Sequence, residues 1–384
     1  MRLSETKVAL ISFAHGINDM YACLLPTFMP FIRTNLGLSY ALVGSFSVLF
    51  GFIDMIGQPI IGFFCDRIRR PYMMMIGPIL CGIGAVMLPN SPSYAIALFF
   101  AGFWGLGTAF THAQGAGAIG YVSKPERLRQ SMTMFNIIGT VGAALGPFVA
   151  VIVVTAFGYR RLPVTLIPAF IIAPLIFFSM PRLRNEIIST EKNSGFYRTL
   201  LSLFKLLYPI WGVNVIRELV FLGVRFLLPM KIDAQGGDLE SIATIVLCIT
   251  IGCSLSMIPM IKIAGYCGNK RALQGSLLAG AIVLLAAALS AGLFSIALYV
   301  LGTACVFSSI SLTTIMAQKL APNERSMAST IVSGFAWGFA NMLVLPFGKL
   351  ADLFGLDAAL IVLALTPLLA APFFLTRPFK MLND

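Results

Sequence analysis

Charge is scarce in this chain. Of its 384 residues only 15 are Asp or Glu and 27 are Lys or Arg, 11% together, where a soluble domain carries roughly 25%. So few charged groups cannot clothe a folded chain of this length in water, which excludes an ordinary soluble protein. Histidine is rarer still, with two residues far apart in sequence, so there is no H-E-x-x-H metal site. G-x-S-x-G and G-x-x-x-x-G-K-[ST] are missing too, leaving neither a nucleophile elbow nor a nucleotide-binding loop. The seven cysteines show no C-x-x-C spacing, so neither a disulfide framework nor a metal site is expected. An enzyme is therefore not expected, and no metal or organic cofactor is called for.

What remains is apolar. Hydrophobic residues make up 58%, gathered in runs near the roughly 20 residues that cross about 30 Å of hydrocarbon at 1.5 Å per residue. Twelve runs are legible, at about 8–32, 41–64, 72–89, 94–121, 131–157, 162–180, 206–230, 240–263, 272–290, 293–318, 327–351 and 357–376. Barrel strands would be roughly ten-residue alternating segments, so the expected fold class is an all-α membrane protein. The excess of basic residues serves topology. With the N-terminus inside, 20 of the 27 Lys and Arg fall on the cytoplasmic side, including Arg67, Arg69, Arg70, Lys124, Arg127 and Arg129. That asymmetry puts both termini in the cytoplasm and gives no sign of a nucleic-acid surface.

The longest polar stretch, 182–205, separates six runs from six, predicting a bundle over 1–181, a cytoplasmic linker, and a second bundle over 206–384. Landmarks recur between the halves: Pro30 with Pro229, Pro147-Phe148 with Pro346-Phe347, and Phe157-Gly158 with Phe354-Gly355, at offsets near 199. Parallel six-span repeats are a transporter architecture with the substrate site between the halves at mid-membrane.

After the second run the chain reads GFFCDRIRRP, with Gly62, Asp66, Arg67 and Arg70. A small residue there permits close helix contact, the carboxylate can cap a helix N-terminus, and the arginines can pair across the domain interface. The fifth run holds Gly142, Gly146 and Pro147. These segments resemble the loop 2–3 motif and the antiporter-associated motif of the major facilitator superfamily. ISFAHGINDMY, AFTHAQGAGA, QSMTMFNIIGTVGAALGP and SGFAWGF are similar to the fosmidomycin-resistance branch, in the branch's order. The resemblance implies twelve helices in two repeats, alternating access, a gating role for the two motifs, and drug efflux of the phosphonate-antibiotic kind. It also marks two departures. Gln114 follows His112 where the branch typically carries a glutamate, and the matching second-half loop, Gly265–Arg271, lacks the motif's aspartate.

An ionisable group at mid-bilayer costs on the order of 2.5–3.5 kcal/mol, so each one is a functional candidate. His15 and Asp19 share a helix face with Asn18 beside them. Asp54 lies past the middle of the second run and is a candidate replacement for the carboxylate absent at Gln114. In the seventh run Asn214, Glu218 and Arg225 share a face and Arg217 flanks it, while Glu218 corresponds to Asp19 at the repeat offset. The expected proton-coupling set is Asp19, His15, Asp54, Glu218 and His112. The expected substrate set is Arg217, Arg225, Asn18, Asn214 and Gln114. Two intramembrane arginines fit either an anionic substrate or a permanent pair with Glu218 or Asp19. The expectation as a whole is a proton-driven exporter of a small organic anion, such as a drug, metabolite or siderophore. It would be a monomer in a bacterial inner membrane, with lipid, substrate and protons as its partners and proton-coupled uptake as the alternative.

Overall fold

The computed structural model describes residues 3–24, 28, 32, 35–38, 40–68, 70–180, 195–236 and 239–381. Pro30, Arg33, Arg69, Pro181 and the linker through residue 194 lie outside them. Every regular element described is helical. The first half supplies α1 (Leu3–Leu24), α2 (Tyr40–Cys65), α3 (Tyr72–Met87), α4 (Tyr94–Val122), α5 (Leu128–Phe157) and α6 (Ile167–Ser179). The second half supplies α7 (Phe196–Ala234), α8 (Leu239–Cys267), α9 (Asn269–Ala288), α10 (Gly292–Phe307), α11 (Ile310–Leu320), α12 (Arg325–Thr330), α13 (Ala336–Phe354), α14 (Leu356–Leu365) and the short α15 (Arg377–Met381).

Among the described residues each of the twelve expected runs is mainly helical. Among the described residues nine stretches are long and apolar enough to cross a membrane, and Leu49–Cys65 is a shorter apolar helix. The tenth run is broken at Ser308-Ser309 between α10 and α11, and the eleventh is α12 and α13 joined by a π-helical turn, Ile331–Phe335. Prolines account for the 3-10 stretches of the sixth and twelfth runs, Tyr159–Leu166 with Pro163 and Thr366–Leu375 with Pro367 and Pro372, since proline removes an intrahelical N–H. The repeat shows in the turns. Gly158 and Gly355 both end a helix with positive φ, 75° and 86°, a conformation glycine adopts without a Cβ penalty.

The chain divides into two compact units. The first is Met1–Leu201 together with Ala321–Phe335, and the second is Ser202–Leu320 with Ala336–Asp384. In the first, α1 packs on α3, α4 and α5, α4 packs on α2 and α3, and α12 lies against α2 and α4. A methyl on Gly142 would overlap the Gly16 carbonyl oxygen, and one on Gly146 the Met20 carbonyl, so the small residues of α5 let two helix backbones meet. In the second unit α10 packs on α8 and α9. Large apolar side chains such as Phe178, Leu289, Leu293 and Leu369 stand outward, which is stable only where hydrocarbon replaces water. Polar side chains are turned inward instead.

Candidate functional site

Asp19 is the centre of the first unit's polar interior. One turn earlier on α1, His15 brings Nε2 to 3.1 Å from Asp19 Oδ2, and His112 of α4 brings Nε2 to 3.0 Å from Oδ1. Asn18 donates from Nδ2 to Asp19 Oδ1 at 3.2 Å and accepts the Thr111 hydroxyl at 3.0 Å. The His15 ring stacks on Phe135 of α5 at 4.0 Å, and Gly139 makes room for it, because a methyl there would collide with the imidazole.

The remaining contact of His15 fixes its tautomer. Nδ1 lies 2.9 Å from the Phe135 carbonyl oxygen. A carbonyl only accepts, so Nδ1 carries hydrogen. In neutral imidazole the other nitrogen is then bare, and a bare nitrogen facing an ionised carboxylate oxygen repels it. One proton more than neutral histidine with ionised aspartate would satisfy the His15–Asp19 contact. His112 needs none, since its neutral Nε2–H donates to Oδ1. The nitrogen and oxygen atoms of these three residues fall within 4.8 Å of one another. A small dication could use that spacing, but hydrogen bonds and one shared proton already account for every contact.

On α2, Asp54 and Gln58 are buried, and Gln58 Nε2 donates to Asp54 Oδ2 at 2.9 Å. In the second unit Arg217 is 1% exposed. It donates to Glu218 Oε1 at 2.7 Å and 3.2 Å, to Asn214 Oδ1 at 2.8 Å and to Thr313 at 2.9 Å. Arg217 is thus ion-paired with Glu218 in this conformation. Arg225 is not drawn into that group. It is exposed, with its guanidinium 5.1 Å from the centre of the Phe221 ring. Gln114 also stands apart from the Asp19 cluster. Its amide accepts from the Met74 N–H at 3.0 Å and donates to the Arg70 carbonyl at 3.3 Å, tying down the turn that starts α3.

The loop after α2 makes a second polar site. Asp66 accepts from the backbone N–H groups of Ser326 and Met327 at 2.8 and 2.9 Å, the first turn of α12, and from the Tyr121 hydroxyl at 2.9 Å. That is a carboxylate on helix N-terminal donors. Arg67 grips Glu324 with two parallel hydrogen bonds of 3.0 Å and lies over the Phe63 ring. Arg325 donates to the Gly120 carbonyl. A methyl on Gly62 would lie 2.8 Å from Thr330 Oγ1, so the motif's glycine seats α12 against α2. Arg70 lies 5.8 Å over Phe177. Burial first, then the nearby Glu324 carboxylate, pushes the Asp66 carboxyl up to about 7, against the pull of its N–H donors and Tyr121. Gly142 and Gly146 serve the α1–α5 contact, and the Pro147 side chain lies outside the described residues.

Sequence reasoning missed Phe135, Thr111, Tyr121, Glu324 and Gln58. Only Gln58 left a signal, four residues after Asp54 on the same helix face.

Two helical repeats, outward hydrocarbon-facing side chains and a half-buried acid–imidazole cluster define a polytopic membrane protein of the transporter class. Residues 8–344 match the model of the Major Facilitator Superfamily, and the chain belongs to that family. It is 20% identical to the uncharacterized MFS-type transporter YfnC of Bacillus subtilis, over 98% of this chain and 93% of that protein. It is also 20% identical to the fosmidomycin resistance protein of Escherichia coli, over 96% and 92%. Among solved structures the human organic anion transporter MFSD10 superposes with a TM-score of 0.77 at 16% identity, covering 97% of this chain and 99% of that one. This last likeness is one of fold.

Proposed function

We propose that this protein is a proton-coupled exporter of a small organic anion, working by alternating access. The single observation that carries the reading is the placement of His15, with Nδ1 2.9 Å from the Phe135 carbonyl oxygen and Nε2 3.1 Å from Asp19 Oδ2. An intramembrane carboxylate that shares a proton with one imidazole and a hydrogen bond with a second is built to take up and release a proton as its exposure changes. The Asp66 and Arg67 contacts with residues 324–327 support a latch that holds α12 on the cytoplasmic side in this conformation. Arg225 is our candidate for the substrate's anionic group, because the Arg217 charge is already met by Glu218. Export is favoured over uptake by the fosmidomycin resistance relative and by the glycine motif of α5. We assign the bacterial inner membrane from the bacterial relatives, and cytoplasmic termini from the distribution of basic residues.

The test is flux in inside-out proteoliposomes with fosmidomycin as the probe. An acidic lumen should drive the phosphonate inward against its gradient, and collapsing the pH difference should stop it. Flux that ignores the pH gradient, or that follows the protons in the same direction, contradicts the antiport reading.

A further inference from the structure

Two buried oxygens on α2 have no donor. Asp54 is 4% exposed and Gln58 2% exposed. They are joined by the Gln58 Nε2 to Asp54 Oδ2 hydrogen bond of 2.9 Å, yet Asp54 Oδ1 and Gln58 Oε1 are both without a hydrogen-bond partner. A buried acceptor left bare costs about 1–3 kcal/mol, and more where it is charged. Here two such atoms occur on side chains already hydrogen-bonded to each other. Reversing the amide does not help, because it would set Oε1 against Oδ2, acceptor to acceptor. One added hydrogen, placed on Oδ1, satisfies both.

We propose that Asp54 carries a proton on Oδ1 in this conformation and donates it to Gln58 Oε1, so that acid and amide close a two-hydrogen-bond ring and form a second proton site. The carboxyl C=O accepts from the amide N–H while its O–H donates to the amide C=O. Release of the proton leaves a carboxylate with one donor and an amide oxygen with none, so the ring opens. This assignment rests on the proton-coupled reading and deepens it, because it gives the first unit a second carrier separate from the His15–Asp19 pair. The charged groups acting on Asp54 are His112 of α4 and Asp19 of α1. The 331–335 turn packed on α2 contributes none, and Arg325 of α12 is held at the Gly120 carbonyl.

The ring has a backing. Gly334 sits in the π-helical turn Ile331–Phe335, and a methyl on it would occupy the space of the Gln58 amide. The amide thus lies flat on the one residue of that turn with no side chain, which makes Gly334 and Gln58 positioning residues for Asp54. π turns are enriched at functional sites because the wider turn changes local packing. When the ring opens, the Gln58 amide loses one of its two holds beside Gly334, which is where proton release at Asp54 would reach the segment that continues α12.

Infrared difference spectroscopy on the full-length protein in nanodiscs, titrated with alkali, tests this assignment. A protonated-carboxyl C=O stretch should be present at neutral pH and disappear as pH rises. Asp54→Asn, which keeps an amide pair with Gln58, should lose the band and stay folded. Gly334→Ala and Gln58→Leu should shift its frequency or titration, and Asp19→Asn should retain it. Because Asp66 is also held up at about 7, the comparison is made in an Asp66→Asn background; there, a band that survives Asp54→Asn, or no band at any pH at which the protein is folded, overturns the proposal. So does selective stabilisation by sodium of the wild type over Asp54→Asn, since a sodium ion would then be meeting the two oxygens. A band assigned to Asp54 alongside pH-independent flux would leave this site standing and remove the exporter reading instead.

Discussion

At Asp19 three donors converge on one carboxylate, and each side chain that supplies them is itself held. Phe135 fixes His15, Thr111 fixes Asn18, and Gly139 gives the imidazole its space. Asp19→Asn is close in shape but cannot ionise, so the variant should fold and still bind substrate. Its pH-driven uphill flux should fall by at least about tenfold, the cost of roughly 1.4 kcal/mol in coupling, as measured against wild type in the same vesicles. Arg217 calls for the opposite expectation. Removing one partner of a buried pair typically costs about 3–5 kcal/mol, so Arg217→Ala should lower thermal stability and yield, and Glu218→Gln added to it should restore part of the loss. A folded Arg217→Ala of wild-type stability that has lost substrate binding would instead mark Arg217 as a substrate contact. His15, Asp19 and Asn18 were legible in sequence because helical spacing puts them together. His112 was legible as a candidate, but its partner was not, since nothing local states which face of α4 meets α1.

At the scale of elements, helix existence followed from hydrophobic run length, and the breaks did not. Ser308-Ser309 and Ile331–Phe335 lie inside uninterrupted apolar runs, where the interruption comes from tertiary packing and no proline announces it. The α5 glycines were legible as small residues without their target. Now that Gly142 is seen on the Gly16 carbonyl, Gly142→Val should destabilise by about 1–3 kcal/mol through overpacking, read as a lower thermal midpoint in detergent. Asp66 gives a pH signature. Its folded carboxyl is held up at about 7, while the unfolded group ionises near about 4. The stability it contributes is therefore full below about 4 and is lost as pH climbs through about 7. Wild-type thermal stability should decline across neutrality, and Asp66→Asn should flatten that part of the slope.

For the whole molecule, the repeat was visible in the recurrence of Phe157-Gly158 and Phe354-Gly355, which serve the same turn. That Ala321–Phe335 folds with the first unit was not visible, since its anchor, Asp66 on the Ser326 and Met327 N–H groups, spans some 260 residues of sequence. The aspartate announced a helix N-terminus without saying whose. Weakening the Arg67–Glu324 grip beside that anchor should favour the state in which α12 has left α2. Arg67→Ala with Glu324→Ala should raise alkylation of a cysteine introduced at Thr330, with little change in global stability.

In the proposed mechanism the His15–Asp19 contact stores a proton, and with only two histidines in the chain it is directly measurable. In nitrogen-labelled histidine NMR, His15 should carry hydrogen on Nδ1 at every pH. Its Nε2 signal should report a proton shared with Asp19, and Asp19→Asn should abolish that signature. A bare Nδ1 on His15, with a neutral Nε2–H simply donating to Asp19, would contradict the account.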